Sequence, residues 1–160
     1  MNLKEKIPGA NSFTYREFVK SDTAIRYRID NTPTENQWKK IEILASRVLQ
    51  PIRDKFGPIK ITSGFRCVDL CLLIKSSSLS NHTKGEAADI EPIDPSITLI
   101  EMAEWIYENL EFRTLIMEYY PEGWIHVDYR EGANIKKLQL KDNTHDYQEV
   151  TIAYLKDICS

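Results

Sequence analysis

The feature that most constrains this chain is the run Ala87-Ala88-Asp89-Ile90, a carboxylate set inside an apolar stretch. The two alanines point to a crowded interior, and the run reads as a short buried strand ended by Pro92. An ionised side chain in such a strand is costly unless it is paired or bound to a metal. The fold must therefore bring Asp89 a cation.

Two histidines are placed to help. His82 stands seven residues before Asp89, with Gly85 between them to allow a turn. His126 lies in Gly123-Trp124-Ile125-His126-Val127-Asp128, where alternation puts Trp124, His126 and Asp128 on one face and Ile125, Val127 and Tyr129 on the other. Two imidazoles and a carboxylate with an open fourth position are how a catalytic zinc is held, whereas a structural site is closed by four ligands. The metal candidates are thus His82, Asp89 and His126, for one Zn²⁺. A lone histidine in a strand is more often a core or surface residue, and His145, in the polar run Asn143-Thr144-His145-Asp146, is read that way.

Bulk properties exclude several classes. The length of 160 residues fits one domain over 1–160. A net charge of −3 gives no basic face for nucleic acid. The longest apolar run, Leu70 to Ile74, is far too short to cross a membrane. The N-terminal Met-Asn-Leu-Lys-Glu-Lys-Ile-Pro-Gly has no apolar h-region, so no secretory signal peptide is expected. Cys67, Cys71 and Cys159 lack zinc-ribbon spacing and read as reduced thiols of a protein made in a cytoplasm.

The elements suggest an α+β class: N-terminal helices packed on a small antiparallel sheet. Thr14 with Glu17, and Thr34 with Gln37, are capping-box pairs that open helices. The second helix carries Trp38, Ile41, Leu44, Ala45, Val48 and Leu49 at helical spacing, and Pro51 should kink or end it. Ile59 to Thr62 alternates as a strand, and the serine run 76–78 is a loop. A third helix carries Leu99, Met102, Ala103, Ile106 and Leu110. Thr114 to Glu118 and Trp124 to Tyr129 form a hairpin around Pro121, and the tail adds one more strand and a short helix.

Ser80-Asn81-His82 through Gly85, Ala87 and Asp89, followed by Trp124-Ile125-His126-Val127, resembles the metal signature of the zinc D-alanyl-D-alanine carboxypeptidase family, which includes many phage endolysins. Phe13-Thr14, Ser21 to Ala24, Ile29 to Pro33, Val48 to Pro51 and Ile61-Thr62-Ser63-Gly64-Phe65-Arg66 resemble its phage-associated branch, so the likeness runs from about Phe13 to Tyr129. The resemblance implies a zinc peptidase acting on D-amino-acid peptides of the peptidoglycan stem or cross-bridge. It would be made in a bacterial host and would act on the wall after release or as part of a virion. Arg66 would face the substrate, offering planar donors to a carboxylate or developing oxyanion; by sequence alone it reads as a surface arginine after a turn. Ser80 would bind substrate or support a ligand. The acidic residue that many members place three before the last ligand is Gly123 here. The resemblance implies Glu118 as general base instead, with Glu122 in the turn as competitor. Cys67, Ile74-Lys75 and Asp128 depart from the family pattern without touching the three ligands. A catalytically silent phage structural protein that keeps the peptidase fold is the alternative.

Overall fold

The computed structural model describes residues 2–141 and 146–157, which leaves His145 and Cys159 outside it. The chain begins with strands β1 (Lys6–Ile7) and β2 (Ala10–Thr14), then helices α1 (Tyr15–Val19), α2 (Asp22–Tyr27) and α3 (Glu35–Leu44). A π-helical turn (Ala45–Leu49) leads into α4 (Gln50–Phe56), followed by β3 (Ile59–Ser63) and α5 (Val68–Leu73). A 3-10 turn (Asn81–Lys84) precedes β4 (Ala87–Pro92), α6 (Leu99–Asn109), β5 (Thr114–Glu118) and β6 (Trp124–Asp128). The tail holds β7 (Lys137–Lys141), β8 (Tyr147–Glu149) and α7 (Ile152–Asp157).

Local chemistry accounts for the helix starts. The Thr14 amide donates to Glu17 Oε2 at 2.6 Å, and the Thr34 amide to Gln37 Oε1 at 2.7 Å. Both are the reciprocal half of a capping box. The apolar stripe of α3 runs on through Ala45, Val48, Leu49 and Ile52, all buried. Pro51 does not end this helix: α4 continues to Phe56, and the distortion falls one turn earlier. A proline lacks the amide and crowds the carbonyl one turn back. The wider turn relieves this, and the Gln50 amide reaches Ala45 O, five residues away. Gly57, at φ 78, stops the helix.

The main sheet has the order β3-β4-β6-β5-β7-β8. Its centre brings the candidate site residues side by side. Asp89 on β4 lies directly across from His126 on β6, and His126 lies across from Ile116 on β5. The expected hairpin forms, with Glu118 opposite Trp124. One face, carrying Ala88, Ile90, Leu115, Met117, Ile125 and Val127, is fully buried in the core with α3, α4 and α6. The other face carries Asp89, Ile116, Glu118, Trp124 and His126 and opens to a cleft.

The sheet is mixed rather than antiparallel, because β7 runs parallel to β5. The connection after β6 returns along the bottom of β5: Lys136 N donates to Phe112 O at 3.1 Å and Lys137 N to Arg113 O at 2.8 Å. A strand that enters beside the start of β5 must run the same way. The tail also supplies two strands, not one, before its helix. The β1–β2 pair and α2 are additions that the sequence reading lacks. Among the described residues, no helix is long and apolar enough to cross a membrane.

Candidate metal centre

His82, Asp89 and His126 converge, and one possible ligand atom from each lies within 4.8 Å of the others. The turn that carries His82 is fixed at both ends. Ser80 Oγ accepts from the His82 amide at 3.3 Å. Gly85 closes the turn at φ 73, and a Cβ there would stand 2.7 Å from Gln37 O. This is the turn glycine that the sequence anticipates, and no other residue fits without strain. His82 Nδ1 sits 2.6 Å from Gly64 O, which accepts only a proton, so Nδ1–H points outward and Nε2 offers a lone pair to the centre.

His126 is turned the other way. Its Nδ1 faces Asp89 Oδ1 at 2.8 Å, while Nε2 faces Asp128 Oδ2 at 3.8 Å, an ion-pair distance too long for a direct hydrogen bond. Asn81 Nδ2 donates to the same Asp128 oxygen at 3.0 Å. The inner atoms are separated by 3.2 Å (His82 Nε2 to Asp89 Oδ1), 3.2 Å (His82 Nε2 to His126 Nδ1) and 2.8 Å. The edge of a tetrahedron with zinc–ligand bonds near 2.05 Å is about 3.3 Å. In the neutral tautomers, three lone-pair donors would meet with no proton between them. That arrangement calls for a cation, and its donor set fits zinc.

The electrostatics agree. Burial resists ionisation of Asp89, but His82 and His126 outweigh it and hold the carboxyl well below the usual range. Burial pushes His82 down, toward the neutral form a metal needs. Burial would also lower His126, yet Asp128 and Asp89 raise it to about 9, so a proton serves as the cation when no metal is bound.

The three residues stand in a cleft of about 870 Å³ that Arg66, Ser80, Ile116, Glu118, Tyr119 and Trp124 also line. Arg66 is not a surface arginine: its side chain is 19% exposed, with Nη2 3.8 Å from Asp89 Oδ2. Its Nε is buried and has no hydrogen-bond partner among the described residues. Glu118 lies on the cleft wall, whereas Glu122 is exposed and borders a separate groove beside the start of α6. Gly123 has no room for an acidic side chain, because a Cβ there would overlap the Glu118 carbonyl oxygen.

Several neighbours escaped the sequence reading. Gln139, Lys141 and Tyr147 line the cleft from β7 and β8. The alternation Lys137-Leu138-Gln139-Leu140-Lys141 is a period-two signal that would have found β7 and its polar face. Glu86 lies inside the ligand segment, and no local signal in the sequence marks it. It is 3% exposed and is held by Lys40 Nζ at 2.7 Å and Arg130 Nη2 at 2.7 Å, with Arg113 Nη1 at 4.0 Å. Burial would raise its carboxyl, but Arg130 and Lys40 bring it below the usual range.

A family model described as Peptidase M15 matches residues 11–128, a span that contains His82, Asp89, Glu118 and His126. No curated protein matches the sequence.

Proposed function

The chain belongs to the peptidase M15 family, and from that premise we propose that it is a single-zinc peptidase hydrolysing D-amino-acid-containing peptides of bacterial peptidoglycan. The observation that carries this reading is the convergence of His82 Nε2, Asp89 Oδ1 and His126 Nδ1 in an accessible cleft. These residues would hold the metal. When bound, zinc supplies Lewis acidity, which makes water a nucleophile near neutral pH and polarises a carbonyl.

The protein's own groups do the rest. Glu118 takes a proton from the attacking water as its oxygen bonds to the scissile carbonyl carbon, and returns that proton to the leaving amine as the C–N bond breaks. Arg66, which lines the cleft, donates to the carbonyl oxygen as negative charge develops or to a substrate carboxylate. Ser80 sets the His82 turn and borders the cleft, where its hydroxyl meets substrate. The substrate is a stem peptide or cross-bridge, cut as a D-Ala-D-Ala carboxypeptidase or an endolysin-type endopeptidase cuts it. We read residues 1–160 as one peptidase domain, supported by a core that includes both Ile7 and Leu155. The likeness of the sequence to the phage branch favours a phage or prophage product, made in the host cytoplasm and acting on the wall after release or from a virion.

Mass spectrometry of muropeptides after digestion of purified sacculi with the zinc-loaded protein tests this. New products that differ by hydrolysis of a bond next to a D-residue are expected. Zinc-loaded protein that releases none would instead make this a silent member that keeps the fold.

A further inference from the structure

Lys141 ends β7 directly opposite Glu118, the residue at the end of β5. Because β5 and β7 run parallel and in register, Glu118 pairs with Lys141, Ile116 with Gln139 and Thr114 with Lys137. The ammonium lies 3.2 Å from Glu118 Oε2 and 3.1 Å from the Tyr147 hydroxyl. It also sits 5.0 Å from the centre of the Tyr119 ring and 4.7 Å from that of Tyr147. Both partners are largely withdrawn from solvent, at 13% and 12% side-chain exposure. The backbone reinforces the contact, since Tyr119 N donates to Lys141 O at 2.7 Å.

A pair this deep contributes little net stability, because desolvating both charges offsets most of their attraction. Its position is the informative fact: it lies in the wall of the metal cleft, on the carboxylate argued above to move the proton. We propose that Lys141 is a positioning residue, which clamps Oε2 of Glu118 so that Oε1 is left to take the proton. This rests on the reading of Glu118 as general base and extends it to a segment beyond the residues 11–128 that define the family match.

The cage explains why a lysine serves here. Burial lowers the ammonium's pKa, but the Tyr147 hydroxyl and the Glu118 carboxylate outweigh it and hold Lys141 above its ordinary value. The two tyrosine faces add cation–π attraction and restrict the flexible stem. With its charge taken by Glu118, the ammonium is a poor anchor for a substrate anion. The aromatic cage also gives the contact a defined direction, which a general base needs.

The test is a double-mutant cycle on zinc-loaded protein, with kcat, KM and zinc content read for each variant. Lys141→Met should lower kcat by roughly 10–100-fold, the usual loss when a partner of an active-site group is removed. KM and zinc content should stay near those of the parent, and Lys141→Arg should recover part of the loss. In a Glu118→Gln background, Lys141→Met should change kcat less than about twofold, since coupled residues are not additive. Tyr147→Phe, at an exposed position, should give a smaller loss that likewise vanishes in that background. Equal factors in both backgrounds, or full kcat in Lys141→Met, would overturn the clamp. Full activity in Glu118→Gln alone would remove the base assignment itself, an outcome distinct from either.

Discussion

Glu86 and Asp89 are two buried carboxylates three residues apart, and their partners differ in kind. Glu86 is met by Lys40, Arg130 and Arg113, one ammonium and two guanidinium groups, none of them a zinc ligand. Asp89 is met by His82 and His126, with Arg66 farther off at 3.8 Å. Imidazoles are charged only when protonated and are ligands only when neutral. The first carboxylate is tied to basic side chains alone, as a structural link between α3, the residue before β4 and the chain after β6. The second is left with partners that either carry a proton or bind a metal. Burial of an acid alone therefore says little; the nature of its partners separates a brace from a site.

The contrast predicts opposite consequences for substitutions at the two positions. Asp89→Ala should abolish hydrolysis in a muropeptide assay while the protein still folds, because it deletes a metal donor. Retained turnover would place the metal elsewhere. The next largest effect belongs to Glu118→Gln, which keeps size and polarity but cannot accept the proton. It should retain zinc and lose about 10²–10⁴-fold in kcat, while Glu122→Gln, in the exposed turn, stays near the parent. The reverse pattern would mean that the acid in the hairpin turn, not the one that ends β5, reaches the cleft.

Glu86→Gln should act on stability instead. It leaves Lys40 and Arg130 without their counter-charge, but their side chains are 36% and 45% exposed, so water softens the loss. We expect about 1–3 kcal/mol, seen as a Tm lowered by roughly 2–4 °C for each kcal/mol, with hydrolysis by the folded protein intact. Loss of activity without loss of stability would break the distinction between the two carboxylates.

The smallest effect is a pH dependence. His126 is raised to about 9 in the metal-free protein, from an ordinary value of about 6.5. Its proton therefore stabilises the metal-free fold fully below about 6.5, and that contribution fades as pH rises through about 9. Zinc must displace this proton, so its affinity climbs over the same interval. The Tm gap between zinc-loaded and chelator-treated protein should widen from pH 6.5 to pH 9. A constant gap would detach His126 from the metal.

What could be read from the chain alone follows from sequence distance. The capping boxes at Thr14 and Thr34 are local signals, and they mark real helix starts. The alternation around His126 gives its face, and the hairpin turn gives the Glu118–Trp124 register. Asp89 announces itself because a charge between Ala88 and Ile90 needs a partner. Pairings across long separations leave no such trace. Lys40 and Glu86 are 46 residues apart, and Glu118 and Lys141 are 23 apart. The parallel entry of β7 depends on where the chain after β6 crosses, which is a tertiary matter. The π-helical turn before Pro51 is the helix adapting to a half-buried proline set between the buried Leu49 and Ile52, a choice set by packing rather than by propensity.

The most direct test of the account is metal analysis of protein purified without added zinc and then equilibrated with a small molar excess of it. The parent and Glu86→Gln should each carry one zinc per chain, and His126→Ala should carry far less. A parent that binds no zinc, or a His126→Ala variant that binds as much as the parent, would contradict a centre built from His82, Asp89 and His126.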